Sequence, residues 1–172
     1  SDSRIGKRFL FPGIGYGGSC FPKDVAALVK TAEDEGSPLN ILTSVMSVNN
    51  KQKEVLPNKV LNYYQGDLSG KHFALWGLAF KPETDDMRDA PSLNIINDLV
   101  SKGATIAAFD PAAMKKAKEI IGGKVVFANN QYEALKNADA LIIATEWSVF
   151  RTPDFFRVKK LLKESVIFDG RN

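Results

Sequence analysis

A single cysteine closes a glycine-rich run, Gly13-Ile14-Gly15-Tyr16-Gly17-Gly18-Ser19-Cys20, and Phe21-Pro22-Lys23-Asp24 follows at once. Proline is tolerated in the first turn of a helix, where backbone N–H groups have no partner, so Pro22 marks a helix start directly behind the sulfur. A thiol there faces free N–H groups and the positive end of the helix dipole, both of which favour thiolate. Lys23 adds a positive charge and Asp24 a carboxylate. The chemistry this suggests is covalent catalysis by sulfur. A lone cysteine is more often a small core residue. Four glycines in six residues argue against that here, because they strip side chains from the approach to the sulfur. No apolar segment continues from the Pro-Lys-Asp turn.

The elements that must position this loop fall into two kinds. Val25, Leu28, Val29 and Ala32 recur at helical spacing over 21–36, and Gly36-Ser37-Pro38 ends the run. A second helical pattern spans 39–64, with Ile41, Leu42, Val45, Val48, Val60 and Leu61 on its apolar face, and Pro57 is expected to kink or break it. A helix this long needs a surface to lie against, either a second domain or a dimer partner. Gln65–Gly70 reads as a linker. Beyond it, short apolar runs at 71–80, 105–109, 125–127, 140–144 and 165–168 alternate with helical segments at about 91–102, 112–121, 131–137 and 154–163. That alternation predicts an α/β fold: a helical segment followed by a Rossmann-like parallel sheet of about five strands, helices on both faces. The expected division is 1–66 and 67–172.

Composition excludes several classes. The 172 residues are 44% hydrophobic and 25% charged, which suits a globular protein with a real core. Twenty-three basic and 20 acidic residues give a net charge of +3, too balanced to point to nucleic acid. No apolar run is long enough to span a membrane. One cysteine rules out an internal disulfide framework and fits a reducing cytoplasm. The one histidine, His72, has no second metal ligand nearby in sequence.

Gly13-x-Gly15-x-x-Gly18 formally matches a dinucleotide fingerprint, but that motif needs a buried strand before it and a β-α-β unit around it. Arg4–Pro12 holds charges and a proline, and helices follow. Close backbone approach and positive φ explain the glycines better. A second candidate is the loop after the first apolar strand, Gly77-Leu78-Ala79-Phe80-Lys81-Pro82 through Asp85-Asp86-Met87-Arg88-Asp89-Ala90-Pro91. Ligands in open α/β sheets bind at the carboxyl ends of strands. Lys81, Arg88 and helix N-terminal amides offer a diphosphate environment, and a capped surface loop explains the same residues equally well. Asp110 is expected to cap the turn before the next helix rather than to hold a ribose.

Together these segments resemble the signatures of the UDP-glucose/GDP-mannose dehydrogenase family: the catalytic-cysteine motif at 15–24, the opening of the carboxyl-terminal UDP-binding domain at 77–88, and a closing strand motif at Phe168-Asp169-Gly170-Arg171-Asn172. The resemblance covers essentially the whole chain. Ser-Cys-Phe-Pro-Lys-Asp is most similar to the UDP-glucose-oxidising branch. GDP-mannose enzymes typically carry leucine at the position of Phe21, and UDP-N-acetylmannosamine enzymes differ at Ser19 and Lys23.

The resemblance implies a sugar 6-hydroxyl oxidised twice, with two NAD+, to a carboxylate. Cys20 would attack the aldehyde intermediate, passing through a thiohemiacetal and a thioester that water hydrolyses. Asp24 would orient or activate water as a buried carboxylate within reach, and Lys23 would act catalytically or electrostatically. Tyr16 and Gly17 would shape the sugar-nucleotide pocket, Phe9 and Leu10 would line its uridine end, and Lys81 and Arg171 would contact the nucleotide. Arg88 would reach NAD. Arg4 would reach a neighbouring subunit's site, implying a homodimer through the 39–64 helix. The family's amino-terminal NAD-binding domain, with an oxyanion-stabilising lysine and asparagine, is expected upstream of these residues. The chain is therefore expected to be a fragment, inactive alone, of a cytoplasmic enzyme of polysaccharide supply. A GDP-mannose enzyme and a non-catalytic nucleotide-binding or dimerisation module are the alternatives.

Overall fold

The computed structural model describes residues 13–171. Two helices come first, α1 (Phe21–Asp34) and α2 (Asn40–Tyr63). An α/β unit follows: β1 (His72–Trp76), α3 (Pro91–Ser101), β2 (Thr105–Phe109), α4 (Met114–Ile121), β3 (Val126–Phe127), α5 (Gln131–Ala134), β4 (Ala140–Ile143), α6 (Ser148–Arg151), α7 (Phe155–Leu161) and β5 (Ile167–Asp169). The five strands form one all-parallel sheet in the order β3-β2-β1-β4-β5. The order reverses between β1 and β4, which makes their carboxyl ends the switch point where open α/β sheets bind ligands.

Side chains alternate across a strand, and the core divides accordingly. Phe73, Leu75, Ile106 and Ile142 point to the face covered by α2, α3 and α4. Ala74, Trp76, Leu141 and Ile143 point to the face covered by α5, α6 and α7. Burial on both faces is why the central strands read as continuous apolar runs rather than alternating ones. Each large side chain fully removed from water contributes about 1.5–3 kcal/mol. Trp76 is the largest of them: its ring stacks on Phe150 at 5.1 Å, and its indole N–H donates to the Gln131 carbonyl at 2.8 Å.

Four details depart from the sequence reading. Gln65–Gly70 is a packed turn rather than a loose linker: Leu68 is fully buried in the core, and the Asp67 carboxylate accepts the Ser69 N–H at 2.9 Å. Helix α2 continues through Pro57, whose ring is itself buried against the core side. The apolar face expected for α2 is covered only toward its carboxyl end, at Leu56 and Val60, whereas Ile41 is 80% exposed and Val45 and Val48 are also open. The short helix α6, headed by Trp147, has no helical period in sequence because it is a single turn.

Candidate active site

The rim of the sheet at the switch point is held by buried polar contacts. Gly77 follows β1 with φ 93, and a Cβ there would collide with Thr145, which follows β4. The Thr145 hydroxyl donates to the Ala79 carbonyl at 2.6 Å, and the Ser92 hydroxyl to the Leu78 carbonyl at 2.5 Å. Asp110 is 0% exposed, and every lone pair is in use. One oxygen accepts Leu78 N–H, Ala79 N–H and the Trp147 indole; the other accepts Ala112 and Ala113 N–H, each at 2.8 Å. The capping role read from sequence is correct but incomplete, since the same carboxylate also pins the β1 loop. No acceptor remains on it for a ribose hydroxyl.

The glycine-rich loop leans on this rim. Gly17 runs so close to the Asp89 carbonyl that a Cβ would overlap it, and Gly18, with φ 94, faces the Phe80 ring. The Gly18 N–H donates to the Arg88 carbonyl at 2.7 Å. Glycine is required here by backbone approach and positive φ, not by phosphate wrapping. Helices α1 and α2 then follow with no strand between them, so the loop is not a dinucleotide turn.

Cys20 is the residue preceding the first turn of α1, exposed, with the Ser19 hydroxyl 3.5 Å from its sulfur. Pro22 lies in the first turn, as its missing N–H allows. Asp24 and Lys23 face water and pair with each other at 3.3 Å, and the Asp24 side chain is 66% exposed. That differs from the buried carboxylate expected: among the described residues no apolar wall lies over the first turn to desolvate it.

Three polar side chains of α2 secure the loop, and the sequence reading missed all of them. Gln52 donates to the Gly13 carbonyl at 2.6 Å. The Asn49 side chain accepts the Tyr16 N–H at 2.8 Å and donates to the Tyr16 carbonyl at 3.1 Å. Lys53, only 4% exposed, donates to Asp89 at 2.6 Å. The signal was present as Asn49-x-x-Gln52-Lys53, one helix face by its three- and four-residue spacing. It was passed over because the same helix was read by its apolar residues.

Loop, helix and rim together line a broad, open cavity of about 1090 Å3. Gly17 and Phe21 line it, while Cys20, between them in the chain, stands beside its wall rather than in it. Tyr16, Val48, Phe80 and Arg171 are also in its wall. The Tyr16 ring meets Phe21 edge-on at 4.8 Å, and its hydroxyl pKa is raised by desolvation and by Asp89, which keeps it a neutral donor. Arg171, just past β5, donates to Glu146, just past β4. Lys81 stands outside the cavity wall, exposed, with its ammonium 5.3 Å from the centre of the Phe80 ring. Arg88 makes a two-pronged contact with Asp86 at 2.8 and 3.0 Å. Its pKa is raised chiefly by that hydrogen bond to Asp86. Arg4, Phe9 and Leu10 lie outside the described residues. Among the described residues no three His, Cys, Asp or Glu side chains gather as metal ligands, and no helix is long and apolar enough to cross a membrane.

Two family models match the chain. Residues 74–172 match the UDP-binding domain, and residues 1–51 the central domain, of the UDP-glucose/GDP-mannose dehydrogenase family. A UDP-glucose 6-dehydrogenase of Rhizobium meliloti is 45% identical over 171 residues, 99% of this chain and 39% of that protein. One from Pseudomonas aeruginosa is 42% identical over 177 residues, covering 100% of this chain and 39% of that protein. Among solved structures, a UDP-glucose dehydrogenase from Pyrobaculum islandicum superposes with a TM-score of 0.85 at 34% identity, covering 99% of this chain and 38% of that one. The chain thus spans about 39% of the length of the relatives it matches.

Proposed function

The chain belongs to the UDP-glucose/GDP-mannose dehydrogenase family, and from that premise we propose that it is the thiol-bearing and UDP-binding part of a UDP-glucose 6-dehydrogenase, which oxidises UDP-glucose to UDP-glucuronate. One observation carries the reading. Cys20 stands exposed between Gly17 and Phe21, and both line the cavity that takes Phe80 from the loop after β1 and Arg171 from just past the edge strand β5.

In this reading residues 1–66 form a central segment with the thiol loop, and 67–172 the nucleotide-binding domain. Phe80 and Tyr16 offer faces to a base or sugar, and Arg171 offers a charge-assisted donor to a phosphate once Glu146 gives it up. Lys81 swings in from the rim; Phe9 and Leu10 close the uridine end. The chemistry supplied with NAD+ bound is acceptance of two hydrides per sugar. Of this chain's residues, only Arg88 is proposed to hold NAD+, and its exposed guanidinium fits an anion if Asp86 releases it.

The Cys20 sulfur bonds to the C6 aldehyde carbon, giving a thiohemiacetal. Oxidation of that adduct leaves a thioester. Water cleaves the C–S bond, yielding the carboxylate and returning the thiol. Asp24, open to solvent beside Lys23, orients that water. A homodimer through 39–64 belongs to this reading, with Arg4 directed to the neighbouring subunit's site, and the exposed Val55 and Tyr63 of α2, which lie outside the cavity wall, support it. The location proposed is the cytoplasm, in polysaccharide supply.

Titration calorimetry of the 172-residue chain with UDP-glucose and with GDP-mannose tests this. The expected result is heat from the uridine sugar alone. Preference for GDP-mannose moves the substrate to the guanosine branch, and silence with both removes the nucleotide site. NAD+ reduction by these residues alone is expected to be nil.

A further inference from the structure

We propose that Lys53 is a positioning residue for the thiol: through its ion pair with Asp89 it clamps the 86–89 arm onto the Gly17–Gly18 backbone, and so sets where Cys20 stands relative to Arg88. Lys53 has this part in the thiol reaction proposed above and rests on that reading for its chemistry, though not for its geometry.

Three observations converge. The Lys53 side chain is 4% exposed, so its ammonium has left water, and Asp89 at 2.6 Å is its ion-pair partner. Only the lysine end is buried, the Asp89 side chain being 46% exposed, and a cation taken out of water against one carboxylate specifies one arrangement over others more than it stabilises. Asp89 also holds a left-handed backbone with φ 52, unfavourable for a residue with a Cβ, and such conformations persist only where surroundings enforce them. Finally, that backbone turn presents the Asp89 carbonyl to Gly17 and the Arg88 carbonyl to the Gly18 N–H. The stem of Lys53 meanwhile packs where a Cβ on Gly15 would sit. One side chain therefore touches the loop and fixes the arm that the loop leans on. Asn49 and Gln52 hold the loop to α2 through bonds to Tyr16 and Gly13, whereas the Lys53 bond goes to the arm.

Amide hydrogen exchange on the 172-residue chain reads this directly, at Gly18 for the clamp and at Leu75 in β1 for the core. In Lys53→Met and in Asp89→Asn, exchange at Gly18 is expected to quicken by about tenfold or more while Leu75 stays as slow as before. Lys53→Arg, which keeps the pair, is expected to stay within about twofold of the unsubstituted chain. Gly18 protection unchanged in the Met and Asn variants overturns the proposal. So does equal loss at Gly18 and Leu75, which marks a role in stability alone. Should Lys53→Met not fold, Asp89→Asn, which leaves the lysine stem in place, decides by the same criterion. Failure of UDP-glucose binding with the exchange pattern as expected would count against the function and leave the clamp standing.

Discussion

Residues 72–171 and residues 13–63 handle their buried and exposed groups in opposite ways. The α/β half has a closed core, one face of which takes Leu56 and Val60 from α2. Both faces of its central strands are covered, and its deepest carboxylate, Asp110, has five N–H donors. The helical half is open by comparison. Its glycine loop is held by polar pegs from α2 and by backbone contact with the other half, and the amino-terminal turns of α2 leave Ile41 and Val48 open. A rigid rim and a loop that borrows its shape from that rim suit the proposed thiol site, since reacting atoms must be held within a fraction of an ångström.

The largest expected effect separates the halves by chemistry. Cys20→Ser in the full-length protein is expected to abolish UDP-glucuronate formation, measured by chromatography of the acid product, because a hydroxyl there lacks the nucleophilicity of sulfur. The same substitution is expected to leave unfolding of the chain unchanged within about 0.5 kcal/mol, since the side chain is exposed. Next comes Asp110→Asn. It sets an amide NH2 among N–H donors and is expected to cost about 3 kcal/mol in urea unfolding. Arg171→Ala is expected to weaken uridine diphosphate binding by about tenfold, with no comparable loss of stability, because the guanidinium is exchanged between Glu146 and a phosphate. Val55→Ser tests the open face of α2 outside the cavity: stability of the isolated chain is expected to move by less than about 1 kcal/mol, while self-association by sedimentation weakens.

The smallest effect belongs to His72, the one histidine. Its pKa lies below 6.5, first through burial and then through Lys163, with Asp139 opposing. A base whose pKa falls on folding takes up fewer protons folded than unfolded, so stability declines as pH drops through the imidazole range. The loss in Tm between about pH 7.5 and pH 5.5 is expected to shrink in His72→Gln. An equal loss in both proteins would assign the acid sensitivity elsewhere.

The two halves also differ in how far the sequence disclosed them. The sheet was legible because its strands are buried on both sides, so Phe73–Trp76 and Ala140–Ile143 stand out as unbroken apolar runs bounded by polar turns. The cysteine loop was legible because glycine, cysteine and proline each carry a backbone or chemical meaning that survives without context. Asn49, Gln52 and Lys53 were not. Polar residues on a helix read as a solvated face until the loop they hold is placed, and that placement depends on contacts 33 to 39 residues away in sequence. The open end of α2 misled for a related reason, since an apolar period shows that a face is apolar but not that this chain covers it.

One measurement bears on the central claim, that the Cys20 loop and the sheet rim form a single nucleotide-sugar site. It is the rate of Cys20 alkylation by iodoacetamide with and without saturating UDP-glucose, followed by mass on this single-thiol chain. The account expects the bound sugar nucleotide to slow labelling severalfold and GDP-mannose to leave it unaffected. Labelling at an identical rate under saturating UDP-glucose would contradict it.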